Sequence, residues 1–204
     1  MELREALSRI EAIHTQMART EVYRGYRAAP VAISGALAFS AAAFQSIWIP
    51  DPLGDVPRYL TLWVGVAIIS AIGAGFGMVM RARHSLGTAC PARANRHAIE
   101  QFAPAVVAGA MLTVIVVRAV PVAVTLLPGA WAILFSLGIF ASRPFLPRAI
   151  TGVAVFYLLA GLACLAWSQG SLALSPWAMG TPFGVGQFMA AAILHGTLER
   201  ADAP

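Results

Sequence analysis

Residues 102–141 read FAPAVVAGAMLTVIVVRAVPVAVTLLPGAWAILFSLGIFA and contain one charged side chain, Arg118. A helix needs roughly twenty apolar residues to cross a hydrocarbon core of about 30 Å, so this run is far too long for a single crossing. A tight turn from Arg118 to Pro121 separates its two halves. The run therefore predicts two membrane-spanning helices, at about 102–119 and 122–141.

The rest of the chain repeats this composition. Of the 204 residues, 59% are hydrophobic and 11% are charged, which is far outside the usage of soluble domains. We therefore expect an all-α fold, a polytopic bundle of six transmembrane helices over residues 28–200. A cytoplasmic amphipathic helix (residues 1–27) would precede it, and a cytoplasmic tail (201–204) would follow. The other four spans are predicted at about 29–48, 60–80, 148–167 and 176–195.

Three connections on one side of the membrane are short: Ile49–Tyr59, Arg118–Pro121 and Ser168–Ser175. Short connections join neighbouring helices, so the spans are expected to pair as three antiparallel hairpins. Three prolines lie within the predicted spans, where each removes a backbone hydrogen bond, and kinks are expected at these positions: Pro104, Pro128 and Pro182.

The arginines indicate an orientation. Twelve of the fourteen lie before the first span, in segment 81–101, around 143–148 or in the tail, and the opposite side has only Arg58 and Arg118. Cytoplasmic loops of membrane proteins are enriched in arginine, which predicts that both termini are cytoplasmic. Four tryptophans near the opposite ends of their helices agree with this orientation as an interfacial belt: Trp48, Trp63, Trp167 and Trp177.

The distribution of the arginines also indicates which binding partners to expect. The arginines occur singly or in pairs beside apolar stretches and do not form a surface that would follow a phosphate backbone, so no nucleic acid is expected. The expected partners are the lipid bilayer and, in addition, a second copy or a different membrane subunit. The N-terminus is charged throughout and has no apolar segment of the signal-peptide kind.

Small residues in two spans favour close helix packing. Gly73 and Gly77 in the second span, and Gly180 and Gly184 in the sixth, each form a GxxxG pair that allows backbones to approach. Packing within the chain is favoured over packing with a second copy, because six helices already offer partners.

The N-terminal segment has an apolar stripe at helical spacing: Leu3, Leu7, Ile10, Ile13 and Met17. A helix this short is marginal in water, so the stripe requires a cover. The headgroup layer or the bundle's own cytoplasmic face is favoured, and a second subunit or a cytoplasmic partner remains open.

Ionisable side chains are missing from the centre of every predicted span, which weighs against ion-coupled transport and intramembrane proteolysis. His84, His97 and His195 lack the spacing of metal ligands, so neither a metal nor a cofactor is expected. If a cavity for a small molecule exists, Gln187, Tyr157 and Trp131 are its candidate lining.

Residues 126–150, LLPGAWAILFSLGIFASRPFLPRAI, and 176–200, PWAMGTPFGVGQFMAAAILHGTLER, resemble stretches of uncharacterised bacterial six-helix membrane proteins. The resemblance implies a bacterial cytoplasmic (inner) membrane and carries no activity with it. Three functions stay open. The first is a non-enzymatic membrane component, a subunit or scaffold that docks partners. The second is a carrier or binding protein for a small neutral or lipophilic molecule. The third, and least favoured, is an interfacial enzyme that uses the histidines.

Overall fold

The computed structural model describes the backbone of residues 28–84, 90–167 and 172–199, and side chains within 28–77, 99–167 and 172–197. The described residues are helical, with no strand among them. The amphipathic stripe of residues 1–27 lies outside them, as does the tail 201–204. The six helices are α1 (Ala28–Trp48), α2 (Val56–His84), α3 (Cys90–Ala119), α4 (Leu127–Ser142), α5 (Ile150–Ala166) and α6 (Pro176–Leu194).

Four segments are long and apolar enough to cross a membrane: Ala28–Trp48, Val56–Gly77, Ile99–Ala119 and Pro121–Phe145. The helix Ile150–Ala166 is apolar but shorter. The α6 helix is long enough, with 19 residues, but it is not among these segments because it is less apolar, with four glycines or prolines in its first half and Gln187. The all-helical class and the presence of several candidate spans are therefore established by length and composition.

The α2 and α3 helices are longer than the spans that the sequence predicted. They contain 29 and 30 residues, and at 1.5 Å per residue they are about 43–45 Å long, against a hydrocarbon core of about 30 Å. The segment 81–101, expected as a loop, is helical except for residues 85–89, which are not described. The expectation of a long loop was wrong because apolarity marks where lipid ends, and a helix can continue into water past that point.

Pro128 does not interrupt a helix. It lies in the first turn of α4, where a missing backbone N–H costs nothing, and the preceding residues Pro121–Leu126 form a 3-10 helix. The apolar run from 122 is therefore a 3-10 segment followed by an α-helix. Pro104 and Pro182 do lie inside α3 and α6.

The most extensive helix packing joins α1 with α6 and α4 with α5. Helices adjacent in the chain also contact each other, and the contact is smallest between α2 and α3 as far as their described residues go. Small residues explain the two main interfaces. A Cβ at Gly180 would lie 2.5 Å from the Cβ of Ala42, and a Cβ at Gly129 would lie 2.7 Å from the carbonyl oxygen of Gly161. These backbones approach closely because no side chain stands between them.

Two apolar clusters fill the bundle. The first gathers the ends of helices around Trp63, Leu127 and Leu174, with contributions from α1, α2, α3, α4 and α6. The second lies around Ala132, Tyr157 and other residues of α1, α4, α5 and α6, and includes no residue from the described side chains of α2, 56–77. The first cluster thus marks one end of the bundle, where the chain passes from α1 to α2, from α3 to α4 and from α5 to α6. This end is called the Gln45 end below.

Candidate functional site

The side-chain amide of Gln45 lies in the last two turns of α1. It is buried at the Gln45 end, and both its nitrogen and its oxygen are hydrogen-bonded. The side chain is fully buried. Its Nε2 donates to the carbonyl oxygen of Leu174 at 2.9 Å, and its Oε1 accepts from the indole Nε1 of Trp63 at 2.7 Å. One amide therefore joins α1, α2 and the segment that leads into α6. In an apolar environment such a group is costly unless both of its ends are bonded, as they are here.

Trp63 is buried at 3% exposure, so it is not part of the interfacial belt predicted from the sequence. The prediction used only the position of tryptophan near a helix end. The bond to Gln45 draws the indole into the bundle, whereas Trp48, Trp167 and Trp177 are exposed, as belt residues are.

Tyr59 lies one turn before Trp63 on the same face of α2. It is fully buried, and its hydroxyl has no hydrogen-bond partner among the described residues. The Cys164 thiol of α5 donates to the carbonyl oxygen of Ala178 at 3.4 Å. The Tyr59 ring therefore fills the Gln45 end as an apolar body, and its hydroxyl is left as a buried donor without an acceptor.

The connection between α1 and α2 is a compact turn. The Asp51 carboxylate accepts from the backbone N–H of Gly54, and the Asp55 carboxylate accepts from the N–H of Arg58, both at 3.2 Å. Arg58 also pairs with Asp55 at 3.1 Å and lies 5.8 Å from the ring centre of Trp48. These exposed contacts fix the start of α2 relative to the end of α1.

The three residues proposed to line a cavity each contact a different part of the bundle. Trp131 of α4 donates to the Thr113 hydroxyl of α3 at 2.9 Å. The Tyr157 hydroxyl lies 3.5 Å from the carbonyl oxygen of Phe183 and against the backbone of Gly186. Gln187, the next residue of α6, has its Cβ near Gly35 of α1.

The predicted small-residue pairs differ in their surroundings. A Cβ at Gly184 would lie 2.5 Å from the Phe39 ring, and Gly180 packs on Ala42, so this pair lies in the α1–α6 interface. Gly73 has no atom within 4 Å of its Cβ position among the described residues, and Gly77 has only the Pro30 ring at 3.5 Å. The α2 pair therefore faces away from most of the bundle.

No group of three histidine, cysteine or carboxylate side chains arranged to hold a metal ion occurs within the described part of the chain. His195 is exposed at the end of α6, where Leu194 passes into a π-helical turn, His195–Glu199. The side chains of His84 and His97 lie outside the described set, so the histidine site stays a prediction.

Comparisons of the chain with models of protein families, with curated proteins and with solved structures find no match.

Sequence reasoning did not single out Gln45 or Tyr59, and it assigned Trp63 to the interfacial belt. One signal for Gln45 was present, because it is the only amide or charged side chain within α1. A polar amide in an apolar span needs a bonding partner, and the same reasoning applies to Gln187. Tyr59 and Trp63 carried no comparable signal, since aromatic residues near a span's end are ordinary in membrane proteins.

Proposed function

We propose that the chain is a non-enzymatic component of a bacterial cytoplasmic membrane, a subunit or scaffold with six spans and both termini in the cytoplasm. The arginine distribution and the resemblance to bacterial six-helix membrane proteins support the orientation and the location. The six-span architecture would include α5 and α6, which complete the packing of α1 and α4. The α5 and α6 helices would then cross the bilayer inside the bundle, where neighbouring helices cover their less apolar faces.

The docking role is supported by one observation, the exposure of α2. Between Val56 and Gly77 the buried residues are Tyr59 and Trp63, both near the start of α2. Beyond them Ile68, Ile69, Ile72 and Phe76 are more than half exposed, and a Cβ at Gly73 would have no atom of the described residues within 4 Å. Membrane helices associate where small residues allow backbones to approach, so this surface of α2 suits a helix of another subunit. The N-terminal stripe would supply a second contact in the cytoplasm.

The test is association in native membrane extracts. Native mass spectrometry of protein in lipid nanodiscs is expected to show the chain in an assembly, and Gly73→Leu is expected to weaken that assembly. Gly152→Leu on α5 is the matched control, because Gly152 also has no atom within 4 Å of its Cβ position. Monomer alone in the native extract, together with no effect of deleting residues 1–20, would contradict the proposal.

The second candidate is a carrier or binding protein for a small neutral molecule. The observation in its favour is the Tyr59 hydroxyl, a buried donor that a ligand carbonyl or hydroxyl would satisfy. A panel of uncharged quinones and long-chain alcohols tests it by thermal shift. A stabilising compound whose effect disappears in Tyr59→Phe would favour the carrier, and a panel without any such compound would remove it.

A further inference from the structure

The backbone hydrogen bonding of α6 is interrupted at Pro182, which is buried inside this helix. In an α-helix each backbone N–H donates to the carbonyl oxygen four residues earlier, so Pro182 leaves the carbonyl of Ala178 without its regular donor. A carbonyl without a donor is costly away from water, because nothing replaces the lost bond. The α6 helix therefore needs a donor from another part of the bundle.

The side chain that donates to this carbonyl is Cys164, near the end of α5. Its Sγ lies 3.4 Å from the carbonyl oxygen of Ala178. A thiol is a weak donor, but here it is directed at the carbonyl from which Pro182 removes the backbone N–H. The bond therefore joins α5 to the first turn of α6.

A second side chain of α5 contacts α6 on the other side of Pro182. Tyr157 precedes Cys164 by seven residues, about two helical turns, so the two side chains share one face of α5. The Tyr157 hydroxyl lies 3.5 Å from the carbonyl oxygen of Phe183, and its ring lies against Gly186. The α5 helix thus contacts α6 both before and after Pro182.

The α1 helix also packs on both sides of Pro182, but its contacts supply no donor. A Cβ at Gly180 would lie 2.5 Å from the Cβ of Ala42, and a Cβ at Gly184 would lie 2.5 Å from the Phe39 ring. Neither alanine nor phenylalanine has a side-chain donor. Between these two neighbours of α6, the missing bond is therefore replaced from α5.

We propose that the Cys164 thiol fixes α6 at Pro182: it replaces the backbone donor that the proline removes, and it holds residues 176–181 in place against α5. A proline inside a helix permits bending, because the missing bond no longer joins successive turns. With the thiol bond present the two parts of α6 keep one angle, and without it residues 176–181 are released. This role does not depend on the proposed docking function.

A double-mutant cycle in the full chain, measured by denaturant titration in mixed detergent micelles, tests the proposal. Cys164→Ala is expected to unfold with an equilibrium constant about fivefold larger than that of Cys164→Ser, because serine keeps a donor and alanine does not. In a Pro182→Ala background the new backbone N–H bonds the Ala178 carbonyl. The two Cys164 variants are then expected to differ by less than about twofold.

Ser136→Ala is the matched control for this cycle. The Ser136 hydroxyl donates to the carbonyl oxygen of Ala154 at 2.6 Å, and that carbonyl keeps the N–H of Leu158 as its regular helical donor. The effect of Ser136→Ala is therefore expected to be the same with and without Pro182→Ala. An alanine–serine difference at Cys164 that is equally large in both backgrounds would overturn the proposal.

Carbonyl NMR supplies a second readout that does not require the Pro182 variant. Labelling with ¹³C-carbonyl alanine and ¹⁵N-methionine selects Ala110 and Ala178, the two alanines that precede a methionine. The Ala178 carbonyl signal is expected to move upfield in Cys164→Ala and to return in Cys164→Ser, while the Ala110 signal stays in place. Cys164→Val, which has no donor, replaces Cys164→Ala if that variant does not fold. An Ala178 signal that is the same in all variants would contradict the thiol bond.

Discussion

The indole N–H of Trp63 donates to the side-chain oxygen of Gln45 at 2.7 Å, with both side chains buried. The other end of the same amide bonds the carbonyl oxygen of Leu174, 129 residues further along the chain. A single side chain thus connects the first helix, the second helix and the segment that leads into the last helix, at one end of the bundle. The strength of this connection determines how firmly α2 is held.

Replacing Gln45 by leucine is expected to destabilise the bundle by about 2 kcal/mol, because the Trp63 N–H and the Leu174 carbonyl lose their buried partner. A denaturant titration of the protein in mixed detergent micelles measures this change in the free energy of unfolding. Ser46→Ala is the matched control, since the neighbouring exposed hydroxyl bonds only the Ala43 carbonyl of its own helix. A Gln45 variant as stable as the control would show that the amide contributes nothing.

Replacing Tyr59 by phenylalanine is expected to leave the free energy of unfolding unchanged or to raise it by up to about 1 kcal/mol, because the hydroxyl that is removed has no partner. Tyr59→Ala, in contrast, is expected to cost roughly 3–5 kcal/mol through loss of a fully buried ring. The same titration measures both variants. A phenylalanine variant that is clearly less stable would mean that the hydroxyl has a bonding partner in solution.

Gly180→Ala is expected to destabilise the α1–α6 interface by about 1–3 kcal/mol, because the added methyl group would lie 2.5 Å from the Cβ of Ala42 and the helices would have to separate. Gly152→Ala, at a position with open surroundings, is expected to have no cost and serves as its control. Equal stabilities of the two variants would contradict the close approach of α1 and α6.

Thr113→Val is expected to cost about 1 kcal/mol, because the Trp131 N–H loses its acceptor while the volume of the side chain hardly changes. Since this bond joins α3 to α4, the variant is also expected to increase hydrogen exchange in α3. Thr61→Val on α2 provides the comparison, because the Thr61 hydroxyl bonds only the Pro57 carbonyl of its own helix. No difference between the two variants would count against the role of Trp131 in fixing α3.

The helical class and the approximate positions of the helices could be predicted because a helix that crosses lipid requires a long apolar segment. Such segments are visible directly in the sequence. Helix ends beyond the lipid could not be predicted. In α2 the apolar run stops at Met80, before Arg81, while the backbone continues as a helix to His84. The sequence also did not show which helices pack against each other. Gly180 was identifiable as a packing residue, but its partner Ala42 depends on how α1 and α6 meet in space.

The candidate site was less accessible to prediction than the fold. The sequence directed attention to Gln187 because its amide is polar within an apolar span, and the same reasoning applied to Gln45 would have found the better-bonded residue. Which of the two amides has partners depends on Trp63 and Leu174, which come from distant segments. Pairings at such separations cannot be read from local pattern.

The account depends most on a six-span bundle with the Gln45 end outside the cytoplasm. Labelling with a membrane-impermeant thiol reagent tests it directly, with Leu53→Cys in the α1–α2 turn and the native Cys90 at the start of α3 as single reactive positions in otherwise cysteine-free chains. We expect Leu53→Cys to react in intact cells and Cys90 to react only after the membrane is permeabilised. Reaction of Cys90 in intact cells, with Leu53→Cys protected, would reverse the orientation and contradict the account.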